Sequence, residues 1–236
     1  MAPKLLILWR MTLLSEIQLL LERTYGTTGV NFENFILSRQ RSRTLSEMAG
    51  TSAAQISDLG RVFLRIIDGR LRIGIHYDPS IIEALEADNP AYGLNDQNIV
   101  PFMVFLEELD HAVHAALKFR EGLRDIHSET FVRDLEVQAK VDTYLVLQKY
   151  CAFFDKPPRL SEADRRWLKA CVFDRDNAAF EDPRLAERYH ETNRLARRYV
   201  RHLDGLPRTR RTAEIRRFRK LTYSQKRDRI AVTTAG

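Results

Sequence analysis

The stretch RVFLRIIDGRLRIGIHY, residues 61–77, constrains the fold more than any other part of the chain. Two β-prone runs flank Asp68 and Gly69, a dipeptide that readily adopts the positive φ angles of a two-residue hairpin turn. Apolar residues alternate with polar residues and glycine in the second run, which predicts a strand with one buried face. An all-helical bundle has no natural place for this hairpin, so the sequence predicts an α+β fold.

Helical patterns dominate the rest of the chain. Apolar residues recur at intervals of three and four over residues 3–23, and further helices are expected over 101–117 and 128–154. Helix starts are predicted at Asp78 and Asp182, each followed by proline, and at a Ser161 capping box. The fold class is therefore mostly helical α+β, with the small antiparallel sheet packed on helices.

Two segments and one boundary complete the predicted organisation. Residues 31–38 are aromatic and β-prone and predict a short strand, whereas the polar residues 39–49 predict a loop. We expect an α+β core over residues 1–160, followed by a helical C-terminal region over 161–236. That region ends in a segment rich in arginine.

The composition favours a protein of a reducing compartment. Cys151 and Cys171 are the only cysteines, too few for a disulfide framework or a cysteine-based zinc pattern. Arg10 interrupts the apolar N-terminus and no small-residue cleavage site follows, which argues against a signal peptide or a transmembrane segment. The expected location is cytoplasmic.

The net charge of +6 is concentrated near the C-terminus. Residues 197–229 contain thirteen Lys or Arg residues and three acidic residues, so the rest of the chain carries a net charge of −4. We call residues 208–229 the basic tail. Such a segment is able to bind nucleic acid or an acidic protein partner, or to dock on the chain's own acidic body. The sequence does not indicate an oligomeric state.

The predicted helix over 101–117, PFMVFLEELDHAVHAAL, carries the strongest chemical signal. At 100° per residue, Glu107, His111 and His114 fall within about 60° of one another, opposite an apolar face. A carboxylate and imidazoles on a largely apolar helix are able to bind a divalent metal. His114 is the weaker candidate, because a partly exposed histidine explains it equally well.

The order of hairpin, helix, E-E-L-D-H helix and E-V-Q-A helix resembles the zincin metallopeptidases, whose metal-binding helix carries H-E-x-x-H. In that resemblance Glu107 takes the place of the first histidine and His111 that of the second. Glu108 takes the place of the general base, and Glu136 that of a downstream acidic ligand. The resemblance implies a metal-dependent hydrolase, and two carboxylates with one imidazole suit Mn²⁺ or Fe²⁺ as well as Zn²⁺.

Residues 70–150 also resemble an uncharacterised bacterial family with E-G-V-S-H-F on one helix and E-L-E-L-Q-A-E-V-D-K-F on the next. Glu107, His111 and Glu136 match its pattern, but Glu108 stands where that family has glycine. The resemblance implies no known activity.

Other interpretations of the same residues remain open. Glu107 and His111 also have the i, i+4 spacing of a hydrogen-bonded pair, and such a pair would close a polar pocket between core helices. Asp134, Gln138 and Asp142 share one face of the next helix, for which solvation is the simpler explanation. The E-x-x-H pairs ending at His111 and His190 suggest a di-iron helical bundle, which the hairpin argues against. A non-enzymatic interaction protein that uses its basic tail is the alternative function.

Overall fold

The computed structural model describes residues 11–48, 59–152, 160–174 and 182–233. In these ranges the chain is mostly helical with one two-stranded antiparallel sheet, as predicted. The helices are α1 (Leu13–Tyr25), α2 (Arg39–Met48), α3 (Pro79–Ala87), α4 (Ile99–Arg120), α5 (Glu129–Ala152), α6 (Glu162–Lys169), α7 (Pro183–Gly205), α8 (Arg208–Lys220) and α9 (Tyr223–Thr233). The strands are β1 (Gly60–Ile67) and β2 (Arg70–Tyr77).

The hairpin is confirmed in position and turn. Asp68 and Gly69 have φ angles of 50° and 70°, the left-handed values that a two-residue turn requires. The sheet lies on α4, where the Tyr77 hydroxyl donates to the Phe105 carbonyl over 3.0 Å. A Cβ at Gly60 would lie 2.7 Å from Glu108 Cγ, so the glycine allows β1 to approach α4 closely.

The three predicted helix starts are also confirmed. Asp78 and Asp182 accept hydrogen bonds from backbone amides of the first helical turn, and Ser161 forms the complete capping box. These side chains satisfy amides that have no partner within the helix. The predicted helices over 101–117 and 128–154 correspond to α4 and α5, although residues 153–159 lie outside the described residues. Residues 3–10 of the first predicted helix also lie outside them, and the described remainder forms α1.

Two local predictions are wrong. Residues 31–38 contain a 3-10 turn at Phe32–Phe35, started by the Asn31 side chain, and only Ile36 forms an isolated bridge to the sheet. Residues 39–48 form α2 instead of a loop. The helix buries only Ser42, so it lacks the apolar periodicity by which a helix is recognised. Its Arg, Gln, Glu, Leu and Met residues nevertheless have good helix propensity.

The core is organised around α4 and α5. Helix α4 contacts the hairpin, α1, α3 and α5, while α5 also contacts α6, α7 and α9. Buried residues of α7, α8 and α9 belong to the same apolar cluster as those of α4 and α5, and Tyr199 stacks on Phe218 between α7 and α8. The division at residue 160 stays a prediction. None of the described helices combines the length and apolar character needed to cross a bilayer.

Candidate metal centre

Asp110 and His114 on α4 meet Asp142 on α5 in the interior of the protein. One potential ligand atom from each lies within 4.8 Å of the other two, and no other group among the described residues meets this condition. His114 Nε2 is 2.9 Å from Asp142 Oδ2 and 3.2 Å from Asp110 Oδ1. The three residues are 2%, 0% and 3% exposed in chain order. They form a group able to hold a metal ion, which we call the Asp-His-Asp cluster.

Helical spacing explains how these side chains meet. Asp110 and His114 are four residues apart on α4 and therefore lie one above the other on the same face. Asp134, Gln138 and Asp142 follow the same four-residue interval on α5, and all three are buried. The solvation explanation for this face of α5 is therefore wrong, as is the partly exposed interpretation of His114.

Neighbouring side chains fix the orientation of the Asp142 carboxylate. The Tyr25 hydroxyl on α1 donates to Asp142 Oδ1, and Gln138 Nε2 donates to Oδ2 over 2.9 Å. The Tyr25 ring also packs edge-on against the His114 imidazole, with 4.9 Å between the ring centroids. Outer hydrogen bonds of this kind hold metal ligands in place. The cluster consequently joins α1, α4 and α5.

The polar atoms of Asp110 are poorly satisfied. Neither carboxylate oxygen accepts a hydrogen bond of regular geometry among the described residues, although Oδ1 lies close to the imidazole. Burial raises the pKa of Asp110 to about 6, and the nearby His114 opposes this only in part. His114 Nδ1 also has no hydrogen-bond partner in the described residues. A buried carboxylate without donors is costly, so a further positive group beside Asp110 would be favourable.

The imidazole responds to both carboxylates. Burial alone would lower the pKa of His114, but Asp110 and Asp142 outweigh it and leave the pKa above its usual value. A proton on Nε2 points well at only one acceptor at a time, whereas two carboxylates lie within 3.2 Å of this nitrogen. A cation between the three groups would satisfy both acids at once.

A second buried ion cluster lies directly beside the first. Asp134 Oδ2 is 2.6 Å from Lys118 Nζ, and Asp134 Oδ1 is 2.8 Å from Lys226 Nζ on α9. Lys226 Nζ also donates to Gln138 Oε1 over 2.8 Å, so Gln138 connects the two clusters. Burial lowers the pKa of Lys226 to about 8, against the opposing effect of Asp134. When the His114 imidazole is protonated, the two clusters together have no net charge. The carboxylates of Asp110, Asp134 and Asp142 then balance three cations, which are His114, Lys118 and Lys226.

The predicted ligands lie elsewhere on α4 and α5 and contact cations. Glu107 Oε1 is 2.9 Å from Lys140 Nζ, and Glu136 Oε1 is 2.9 Å from Arg188 Nε on α7. Glu107, His111 and Glu136 do not form a group with ligand atoms within 4.8 Å of one another among the described residues. A metal there would have to displace both cations. Their role as ligands stays a prediction.

The predicted general base, Glu108, interacts with the predicted imidazole ligand. Its carboxylate is 3.8 Å from His111 Nδ1. Burial would lower the pKa of His111, but Glu108, with smaller contributions from Asp110 and Glu107, outweighs burial and leaves the pKa above its usual value. Burial, followed by the fields of Glu136, Glu107 and Glu108, raises the pKa of Tyr189 on α7. The four predicted residues therefore surround one polar junction of α4, α5 and α7, separate from the Asp-His-Asp cluster.

Sequence reasoning did not identify Asp110 and Asp142 as candidate ligands. The available signal was the D-x-x-x-H spacing of residues 110–114, the same four-residue interval as the predicted pair at 107 and 111. The second signal was the four-residue spacing of Asp134, Gln138 and Asp142, which places three polar residues on one face of α5. In the di-iron interpretation the second pair, Glu187 and His190, is exposed on α7.

In comparisons with protein-family models, curated proteins and solved structures, the chain matched none of them.

Proposed function

We propose that this chain is a metal-binding protein that holds one divalent cation with Asp110, His114 and Asp142. The observation that carries the proposal is the Asp110 carboxylate, which is 2% exposed and has no regular hydrogen-bond donor among the described residues. A divalent ion would take the place of the imidazole proton between the two carboxylates and would end their competition for one imidazole N–H.

The donor set favours a first-row divalent metal. Two carboxylates and one imidazole form a mixed oxygen and nitrogen site, which suits Mn²⁺, Fe²⁺ or Zn²⁺. Tyr25 and Gln138 would hold the Asp142 carboxylate toward the ion, as outer hydrogen bonds do in many metal sites.

The proposed role of the ion is structural. The three ligand side chains are 0–3% exposed, whereas a catalytic ion needs an open coordination position that substrate and water can reach. The surface pocket of about 540 Å³ at the start of α7 is lined by Glu129, Arg133 and Arg188 among others, and by none of the three ligands. The ion would instead cross-link α4 and α5 and, through Tyr25, α1.

A metal-dependent hydrolase with a zincin-like core remains the second proposal, on the residues that the resemblance provides. Glu107, His111 and Glu136 would hold its ion and Glu108 would act on a bound water. This junction has one favourable property: the His111 side chain is 22% exposed and the Glu108 side chain 16%, so solvent reaches both. The engagement of Glu107 and Glu136 by cations counts against it.

Calorimetric metal titration distinguishes the two sites. The full chain is stripped with a chelator and titrated with Mn²⁺ and, separately, Zn²⁺. The wild type is compared with Asp110→Asn, which preserves volume, and with His111→Ala on the same helix. We expect one equivalent of metal to bind to the wild type and to His111→Ala, and binding to be lost in Asp110→Asn with its helical circular dichroism unchanged.

The reverse pattern, in which only His111→Ala loses metal, would move the site to the predicted junction. A wild type that binds neither ion would refute the metal-binding proposal and leave the charge-balanced, protonated His114 as the description of the cluster. A melting temperature measured with and without metal gives an independent check, because a ligand at 100 times its Kd stabilises the native state by about 2.7 kcal/mol.

A further inference from the structure

The outward faces of α7 and α8 carry a set of unpaired cations. Arg194, Arg198 and Arg201 are exposed on α7 at intervals of four and three residues, which places them along one face. Six exposed cations make up what we call the basic face: Arg194, Arg198, Arg201, Arg210, Arg217 and Lys220. Within the described part of the chain, these six residues form no ion pairs.

Three of the four acids within α7 and α8 are already engaged. Glu191 pairs with Arg133 across to α5, Asp204 lies 2.7 Å from Lys169 Nζ, and Glu214 lies 2.9 Å from Arg229. None of the three acids is exposed. The fourth acid, Glu187, is exposed seven residues before Arg194 and forms no ion pair among the described residues. One acid does not neutralise six cations, so a net positive charge remains available to a polyanion.

Much of the basic tail faces inward. Lys226 and Arg219 are 0% and 2% exposed, and Arg216 donates to the carbonyls of Arg23 and Thr24 on α1. The tail thus docks on the chain's own body, one of the roles that its charge allowed. Arg227 on α9 stays exposed but lies 3.6 Å from Glu191. The exposed cations without an ion pair include those of α8, and the α7 arginines of the basic face add to them although they precede residue 208.

The aromatic residues of the tail are not available to nucleic-acid bases. Phe218 stacks on Tyr199 with 3.7 Å between the ring centroids, and Tyr223 is 7% exposed. Binding to single strands commonly relies on aromatic rings that stack on unpaired bases. The basic face offers charge without such rings, which suits contacts to phosphates.

The absence of an apolar anchor argues against a protein partner. In the described residues 182–233, Val232 near the end of α9 is the only exposed large apolar side chain, and α7 and α8 have none. Specific protein interfaces bury a core of aromatic and aliphatic anchors inside a polar rim. Five of the six cations are arginines, whose planar guanidinium matches the oxygens of a phosphate.

We propose that the basic face binds the phosphate backbone of double-stranded DNA without reading its sequence. Arg194 and Arg201 are about 10 Å apart along α7, and Arg210 and Arg217 are separated by the same rise along α8. Each helix thus presents cations to more than one phosphate. The binding depends on charge alone and does not require the proposed metal.

Fluorescence anisotropy of a labelled 20-base-pair duplex tests this interface over a range of salt concentrations. A triple variant with Arg194→Gln, Arg198→Gln and Arg201→Gln removes the α7 part of the face. The matched control replaces three exposed arginines of the hairpin, Arg65, Arg70 and Arg72, by glutamine, with the same loss of charge. All proteins are compared by circular dichroism.

We expect the α7 variant to flatten the slope of log K against log salt by roughly 2 to 3, because each phosphate contact contributes about 0.9. Its Kd should rise at least tenfold while the hairpin control binds like the wild type. Equal losses in the two variants would refute a specific face. Tighter binding of single strands, of an RNA duplex or of polyglutamate than of the DNA duplex would also overturn the proposal.

Discussion

Asp134→Asn is predicted to be among the most damaging isosteric substitutions in the core. The side chains of Lys118, Asp134 and Lys226 are 9%, 5% and 1% exposed, and one carboxylate serves both ammonium groups. Removal of one partner from a buried ion pair costs about 3–5 kcal/mol, because the remaining charge is left without compensation. For a chain of this size the melting temperature should fall by roughly 6 to 20 °C.

Urea unfolding at pH 7 measures this loss, and Glu129→Gln is its matched control. The Glu129 side chain is 57% exposed and lies 3.0 Å from Arg133, so its loss should cost less than about 1 kcal/mol. The penalty of Asp134→Asn should also shrink at pH 10, because Lys226 is then able to lose its proton. Similar losses in the two variants, or a penalty independent of pH, would contradict the account of the buried ion cluster.

Three further predictions concern single side chains. Because the folded-state pKa of Lys226 is about 8 and its usual value is 10.5, the unfolded state binds more protons between these values. Wild-type stability should therefore gain a contribution as the pH rises from 8 to 10, measurable by urea unfolding, that Lys226→Met lacks. Tyr25→Phe should weaken calorimetric metal affinity by about 10- to 100-fold, because its hydroxyl holds a ligand carboxylate; unchanged affinity would exclude that role. Gly60→Ala should lower the free energy of unfolding by about 1–3 kcal/mol, because the new Cβ would meet Glu108 Cγ at 2.7 Å; wild-type stability would show that β1 can move away from α4.

Local rules predicted much of the fold. The turn at Asp68 and Gly69 and the caps at Asp78, Ser161 and Asp182 depend on residues within a few positions of each other, so the sequence contains all that determines them. Helix α2 was missed because it is almost entirely exposed and therefore lacks an apolar stripe. Periodicity detects burial, and α2 buries little.

The Asp-His-Asp cluster lies on the same two helices as the predicted ligands but consists of other residues. Glu107 and Asp110 both stand four residues before a histidine on α4, and the spacing alone does not tell which pair is fully buried. Packing decides it: Glu107 contacts Lys140 near the surface, while Asp110 and His114 turn inward to Asp142. Glu136 pairs with Arg188 on α7 and Asp134 with Lys226 on α9. These partners lie more than 50 and more than 90 residues away in sequence, and no local pattern indicates them.

The most direct test of the central proposal is the position of a bound ion. Crystals of the full chain grown with Mn²⁺ or Zn²⁺ would give an anomalous difference map at the absorption edge of that metal. The proposal predicts one peak about 2.0–2.2 Å from an imidazole nitrogen of His114 and from carboxylate oxygens of Asp110 and Asp142. A peak at Glu107, His111 and Glu136, or an anomalous map with no peak at the Asp-His-Asp cluster, would contradict the proposal.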